Sequence, residues 1–366
     1  MINLMFFNKN NEFVNIADFE TLTWTRNFYT TGTFSATLPM TEKNVSLCEL
    51  GNRIYIKDNN PDSEIGIITT IIKTLGTNGQ ETLQIGGSFS DVLLAQRICW
   101  ETVSESNATV SLFIISLLWG NAIGTSNSDR DIPNFNTELT SNTIFEWLTK
   151  QTTYGNLLTT IQDLLTSYEY SGYNRFDLND KMLYFNAKKG IDRTASQDVN
   201  AKALFSRSFY NVVTQTATES SKDYANCALI GGEGEGDNRI LTTVGDATGL
   251  DRYEIFVDAK DLTKTVDEVT MTDAEYLEAL QRRGNEKLAE RKKVQSLEGT
   301  YRMDDLSDAD LGDYVTVFDK DWNLQLDTQI TTIARTYNRG TTETSVTFGN
   351  KAASIFSKVD KLRNGE

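Results

Sequence analysis

The chain has 366 residues, with 35 Lys+Arg against 51 Asp+Glu, no His, and a formal net charge of −16 at pH 7. This length exceeds what one hydrophobic core organises, so two or three domains of roughly 100 to 150 residues are expected, and the acidic balance excludes a reader that works by gripping phosphates. The absence of histidine removes Ser-His-Asp and Cys-His nucleophile systems and His-ligated zinc, leaving carboxylate chemistry such as glycoside hydrolysis as the open catalytic route.

Cys48, Cys99 and Cys227 are far apart and odd in number, which reads as three reduced structural thiols. The longest apolar run, "LFIISLLW" (Leu112 to Trp119), is much shorter than the ~20 residues of a membrane span, so no stable membrane insertion is expected. The start "MINLMFFNKNNEF" carries no basic region or cleavage site. The expectation is a protein made in a cytosol and kept there until it assembles.

Residues 1–99 read as short strands. Leu22 and Trp24, then Phe34, Ala36 and Leu38, alternate with polar residues, giving each strand one face to bury. "GNRIYIKD" and "EIGIITTIIKTLGTNGQETLQIGG" add further strands, and Asn78-Gly79 is the signature of a two-residue type I′ hairpin. The expected result is an antiparallel sheet closed or curled into a small barrel, finished by a short helix in "SFSDVLLAQRICW", where Phe89, Val92, Leu93, Gln96 and Arg97 fall at helical spacing.

Residues 100–200 read as α+β. Asn107 is placed to cap a helix running through Leu118 and ended by Gly120. A further helix is expected through "TIFEWLTKQTTYGNLLTTIQDLLTSYEY", broken near Gly155, with Leu157, Leu158, Ile161, Leu164 and Leu165 on its apolar face. "NRFDLND" and "KMLYFNAKKG" then follow as a strand pair. From Ala203 the strand pattern returns in "ALFSRSFYNVVTQTATE" and "ANCALIGG", leading into "LIGGEGEGDNRIL" and "RILTTVG". A charged helix follows, started by a Thr272/Glu275 capping box, with Leu277, Leu280, Gly284 and Leu288 along one stripe. "KKVQSLEGTY", "DYVTVFD", "LQLDTQITTIARTYN" and "TSVTFG" close the chain as strands.

The glycine–acid stretch is the first candidate site. A phosphate loop needs a lysine where Asp237 stands, a dinucleotide fingerprint needs another glycine spacing, and Glu233, Glu235 and Asp237 repel a pyrophosphate. Gly231, Gly232, Gly234 and Gly236 therefore read as a turn or domain crossing, not a ligand site. Asp319, Asp321 and Asn323 open like a calcium loop, but Leu324 and Ile330 occupy the positions that need Gly and Glu. Asp304, Asp305, Asp308, Asp310 and Asp313 have the spacing of a solvated loop. Phe28, Tyr29, Trp100, Trp119 and Trp147 sit in apolar periodic segments, which favours core packing over a sugar platform. No catalytic residue, metal ligand or cofactor is assigned.

Several segments in order are similar to the tail-hub or tail-tip proteins of long-tailed bacteriophages, the siphovirus ReqiPepy-type family related to the baseplate hub. "FYTTGTFSATLP", "LGNRIYIKD" and "GIITTIIKTLGTNGQETLQIGGSFSDVLLAQRI" resemble its first barrel. "GIDRTASQ" with "LFSRSFYNV" resembles its junction, "IGGEGEGDNR" its most recognisable motif, and "LGDYVTV" and "SVTFG" its closing strands. The resemblance covers about residues 1 to 350 and implies a β-rich α+β chain with two tube-like antiparallel β-barrels and an inserted α+β decorating domain. On this sequence they map to 1–99 for the first barrel, 201–240 plus 294–350 for the second, 100–200 plus 241–293 for the decorating domain, and 351–366 for a C-terminal tail. The implied function is structural and non-enzymatic: a virion baseplate hub, made in the bacterial cytoplasm, forming a homotrimer on the tail tube or distal tail protein. A tip protein or receptor-binding fibre, the tape-measure protein and passing DNA are the other implied partners, and because the chain stops at Glu366 a hub without its own lysin is expected. The alternatives are a receptor- or carbohydrate-binding tail module and, behind it, a carboxylate-based cell-wall hydrolase.

Overall fold

The computed structural model describes residues 4–57, 60–77, 79–266, 269–291, 294–301, 309–338 and 340–349. Backbone contacts divide it into two compact units, one of residues up to Gln215 with Glu298–Phe348 and one of Thr216–Leu297.

The first unit opens with β1 (Leu4–Phe7), β2 (Phe13–Ala17), β3 (Thr21–Asn27) and β4 (Thr33–Leu38), then the short helix α1 (Glu42–Leu47), β5 (Arg53–Ile56), β6 (Gly66–Leu75) and β7 (Glu81–Phe89). The period-2 alternation does what it predicts: Leu22, Trp24, Phe34, Ala36, Leu38, Leu83 and Ile85 bury one face of this sheet. Trp24 stacks on Phe34 with ring centres 6.1 Å apart and tilts against Phe89 at 4.6 Å. Leu75 pairs with Glu81 across the β6–β7 connection, so the turn is longer than the two-residue hairpin expected. Gly79 supplies a left-handed residue there at φ +77°, and Asn78 lies outside the described residues.

The α+β segment departs from the sequence reading in two places. The first helix, α2 (Val110–Asn121), is capped by the Thr109 hydroxyl and includes Gly120; it follows strand β8 (Val103–Thr109), within which Asn107 adopts φ +56°. After β9 (Phe135–Thr137), the expected long helix is a strand over its first half: β10 (Trp147–Thr152) pairs with β8, and only α3 (Leu157–Ser167) is helical. Asn156 caps α3, and Leu157, Leu158, Ile161, Leu164 and Leu165 are buried as expected. β11 (Tyr170–Phe176) and β12 (Leu183–Lys189) form the antiparallel pair behind it. The residues after β7 form a 3₁₀ turn at Ser90–Gln96 in place of an α-helix.

The chain continues as β13 (Leu204–Ser206) and β14 (Val212–Ser220). The second unit holds β15 (Cys227–Gly231), β16 (Leu241–Val244), β17 (Glu254–Asp258), the two-residue strands β18 (Thr265–Val266) and β19 (Val269–Thr270), and α4 (Asp273–Ala289). β15 pairs antiparallel with β16 and parallel with β17, and α4 covers this sheet with Tyr276 and Leu280 in a small core with Ala228, Ile230 and Val257. Residues 227–240 and 241–258 are thus one sheet, and no boundary falls at residue 240 as the sequence mapping expected. The mapping took the glycines for a crossing between domains, whereas they turn the chain back onto its own neighbouring strand.

β20 (Val294–Tyr301), β21 (Tyr314–Asp319), β22 (Leu324–Asn338) and β23 (Thr341–Gly349) complete the chain. β22 is 15 residues long; its first part pairs with β21, its later part with β23 on one side and β3 on the other. It thereby stitches amino- and carboxy-terminal strands into one 13-stranded sheet, whose main path runs from β14 to β2. Among the described residues no pairing closes this path into a barrel. The β-rich α+β class holds. Removing Trp24 (2 % exposed) as Trp24→Ala should cost about 3 to 5 kcal/mol in a denaturant titration of the whole chain; an unchanged midpoint would contradict this placement of the core.

Candidate functional site

The glycine–acid stretch folds as the turn between β15 and β16. The Gly232 amide donates to the Ile240 carbonyl at 2.8 Å and the Ile240 amide returns a bond to Glu233 at 2.9 Å. Arg239 doubles back, donating through Nη2 to the Gly231 carbonyl at 2.8 Å and through Nε to the Gly232 carbonyl at 3.1 Å, while also pairing with Asp258. The Glu233 amide donates to the Tyr276 hydroxyl at 2.8 Å, and that hydroxyl donates to the Leu262 carbonyl at 2.7 Å. A Cβ on Gly232 would stand 2.5 Å from the Tyr276 oxygen and 2.9 Å from Leu280, so α4 seats directly on the bare backbone. Gly234 (φ +98°) and Gly236 (φ +56°) supply left-handed residues.

Phosphate cradles need several free amides converging outward. Here the amides of Gly232, Glu233, Asn238 and Arg239 are each spent on an internal acceptor. Gly231, Gly232, Gly234 and Gly236 are brought together, the first two leaving room for Arg239, Tyr276 and Leu280 and the last two supplying the turn.

The second concentration of charge lies in the first unit and was not legible as a site. Arg26 on β3 is 1 % exposed and donates to Glu64 at 3.1 Å, to Asp310 at 2.7 Å and to Asp62. Lys188 on β12 shares two of those carboxylates, Asp62 at 2.6 Å and Asp310 at 3.4 Å. Next to it Asp313 accepts from Arg193 at 2.8 Å and from the Ile191 amide at 2.8 Å. A Cβ on Gly190 would overlap the Gly312 carbonyl, so two backbones touch at this node. Residues near 26, 62, 188 and 310 are thus tied at one point. Burial opposes the charge on Arg26, but Glu64, Asp62 and Asp310 outweigh it and hold the guanidinium charged well above its ordinary range. Burial pushes Glu64 up to about 7 against the pull of Arg26, and pushes up Asp91, which accepts from Thr31 at 2.6 Å, also to about 7. Asp310 moves the other way: burial opposes its charge, yet Arg26 and Lys188 hold it well below the usual carboxylate range.

The remaining candidates resolve individually. Asp319 is buried and accepts from Arg207 at 2.7 Å and from the amides of Asp321 and Trp322 at 3.0 and 3.1 Å, a folded turn in place of a calcium loop. Asp304, Asp305 and Asp308 lie outside the described residues; Asp310 and Asp313 are held by the cations above. Phe28 is core, but Trp100, Trp119 and Trp147 are exposed by 57, 48 and 55 %, contrary to the packing expectation. Trp147 points outward because its segment is a strand, and Trp100 is covered on one face by the Arg130 guanidinium at 4.6 Å. The three cysteines are buried and free. Among the described residues no group of three or more His, Cys, Asp or Glu is arranged to hold a metal ion, and no helix is long and apolar enough to cross a membrane.

With this geometry in hand, comparison places the chain. The profile of the siphovirus ReqiPepy6 Gp37-like protein family matches residues 7–350. The chain belongs to that family. Among curated proteins no sequence matches it. Its fold is that of phage tail proteins. A tail protein from Neisseria meningitidis MC58 superposes with a TM-score of 0.58 at 11 % identity, over 96 % of this chain and 97 % of that one. Prophage tail protein gp18 from Listeria monocytogenes EGD-e gives 0.56 at 14 % identity, over 99 % and 98 %. The 43 kDa tail protein of prophage MuSo2 from Shewanella oneidensis gives 0.53 at 12 % identity, over 94 % and 98 %.

Two measurements check these placements. Gly232→Ala should lower the denaturation midpoint of the chain, by roughly 1 to 3 kcal/mol for the overlap with Tyr276 and Leu280, and a neutral outcome would contradict the seating of α4. Raised carboxyls such as Glu64 and Asp91 keep protons in the folded state that the unfolded chain releases between about pH 4 and 7, so stability falls as pH rises through that window. Asp310, held low, contributes stability above about pH 4 that is lost on further acidification. The thermal midpoint should therefore be higher near pH 5.5 than at pH 8, and the difference should shrink in Asp91→Asn.

Proposed function

We propose that this chain is the hub of a phage tail tip: a homotrimeric structural ring that joins the hexameric tail tube or distal tail ring to the tip and gates the lumen for the tape-measure protein and DNA. The observation that carries this reading is the family match over residues 7–350, supported by a tail-protein fold that extends over 94 to 99 % of the chain instead of one module of it. In this reading residues 1–99 and the strands of 294–350 supply the tube-facing sheet, residues 100–200 decorate it, and the glycine–acid turn belongs to the second unit. The chain is read as non-catalytic because Asp310 and Asp313 of the acidic run are committed to Arg26, Lys188 and Arg193.

One observation favours a second reading for part of the chain. Trp100 and Tyr154 are exposed by 57 and 72 % on segments joined by the Tyr154 amide and the Cys99 carbonyl at 2.9 Å. Exposed aromatics of this kind suit a receptor- or carbohydrate-binding module within a tail protein.

Light scattering and negative-stain imaging test the main reading. The expected species is a ring of three 41.1 kDa subunits, formed alone or on addition of the neighbouring tail ring; a monomer that persists under both conditions contradicts it.

A further inference from the structure

Two arginines are buried in the sheet of the first unit, and the fold treats them differently. Arg26 on β3 is met by three carboxylates. Arg53 on β5 is 6 % exposed, and its Nε and Nη1 atoms are buried with no hydrogen-bond partner. Burial pulls this guanidinium down to about 10, and no acid offsets the loss of solvent. Glu12 accepts from Asn8 at 2.7 Å, and neither it nor Glu49 reaches Arg53. A second cation stands at the entry to β5: a Cβ on Gly51 would meet the Lys9 stem at 2.7 Å, and Lys9 too has no ion pair among the described residues.

Strand register sets what shares a face with Arg53. Phe13, Phe7 and Arg53 form one row across β2, β1 and β5, and Ile16, Met5 and Tyr55 form the next row on the same face. The inner part of these rows is covered, since Phe7 and Tyr55 pack on Phe176 with ring centres 5.2 and 5.8 Å apart. The margin is not: Phe13 and Ile16 are exposed by 51 and 37 %, and Leu50, just before β5, by 57 %. A buried cation on a face whose margin keeps aromatic and aliphatic groups half out has the make-up of an interface anchor, where Arg and aromatic residues concentrate and the surrounding contacts exclude water. A lone water would hydrate Arg53 and leave its charge uncompensated. Strand addition is not the mode. β2 ends the sheet path, but Val14 bulges out of its pairing with β1 and the Ile16 amide is taken by Asn15 Oδ1 at 2.9 Å.

We propose that Arg53 is a socket for an Asp or Glu side chain of an adjoining protein chain in the tail, with Phe13, Ile16 and Leu50 packing around that contact. A guanidinium offers a carboxylate two parallel N–H donors, and the carboxylate supplies the charge that the fold gives Arg26 and withholds from Arg53. Further copies of this chain are themselves acid-rich, with 51 Asp+Glu against 35 Lys+Arg. The inference requires only that the chain joins other proteins in a tail, and it stands or falls apart from the trimer and the lumen gate.

Arg53→Met keeps an unbranched stem and removes the charge. In the purified chain its thermal midpoint should equal or exceed the parental one, because an unpaired buried charge is lost, whereas Arg26→Met should lower it. In purified tails Arg53→Met should leave the particle roughly thirtyfold faster than the parental chain during a salt wash, the factor expected on truncating one side of a buried charge pair, and Arg53→Lys should fall between the two. A folded Arg53→Met chain that never enters tails supports the proposal equally. A lowered midpoint for Arg53→Met, or departure at the parental rate, overturns it. Carbodiimide treatment of tails carrying Arg53→Lys identifies the facing group: an amide from the introduced amine to an Asp or Glu of another chain, read by gel mass and mass spectrometry, is expected, and an amide to an acid of the same chain, or none, overturns the proposal. A rise in the parental midpoint with millimolar acetate or phosphate at constant ionic strength, absent in Arg53→Met, assigns the socket to a free anion and overturns the protein source. A chain that forms no ring yet gives the expected results removes the hub reading and leaves the socket.

Discussion

A single buried guanidinium holds the first unit together. Arg26 reaches Asp62, Glu64 and Asp310 from the interior of β3, and Lys188 closes the set from β12. Removing one partner of such a cluster leaves an uncompensated buried charge, commonly a loss of about 3 to 5 kcal/mol, so all the segments that meet there are constrained together. The close approach of Gly190 to Gly312 and the anchoring of Asp313 by Arg193 and Ile191 place further backbone at that node. The long strand β22 supplies the other tie, because it pairs with β3 and β23 at once. Strands from opposite ends of the chain therefore belong to one hydrogen-bonded sheet.

The second unit is organised by packing at close range. Tyr276 bridges the Glu233 amide and the Leu262 carbonyl while its ring fills the small core, and Gly232 is bare so that this can happen. The acids of the same turn are directed to local work: Glu233 accepts from the Lys264 amide at 3.3 Å, and Glu235 stands 3.7 Å from Lys260. The motif that first looks like a ligand loop is thereby explained by the helix that sits on it.

Much of the fold was legible locally. The alternation in β3 and β4, the apolar face of α3, and the Thr272/Glu275 capping box each arise from contacts within a few residues, and each is found. What was not legible depends on distant partners. "WLTKQT" reads as helix until β8 is available to pair with it, Trp100 and Trp119 look like core until their surroundings are known, and closure into barrels cannot be judged until β22 is seen to serve two neighbours. Of the candidate site, the exclusion of phosphate binding followed from residue types alone. The Arg26 node did not, because residues 26, 62, 188 and 310 share no local pattern. Tyr276 carried one faint signal, an aromatic beside the expected stripe of Leu280 and Gly284.

Family and fold make this chain a structural protein of a phage tail, built around a sheet that joins both ends of the chain. The most direct test of that account is an electron cryomicroscopy reconstruction of the tail end of a particle that encodes this chain. The account predicts three copies arranged as a ring at the end of the tail tube. Density for the chain elsewhere in the particle, or no density for it in the tail, would contradict it.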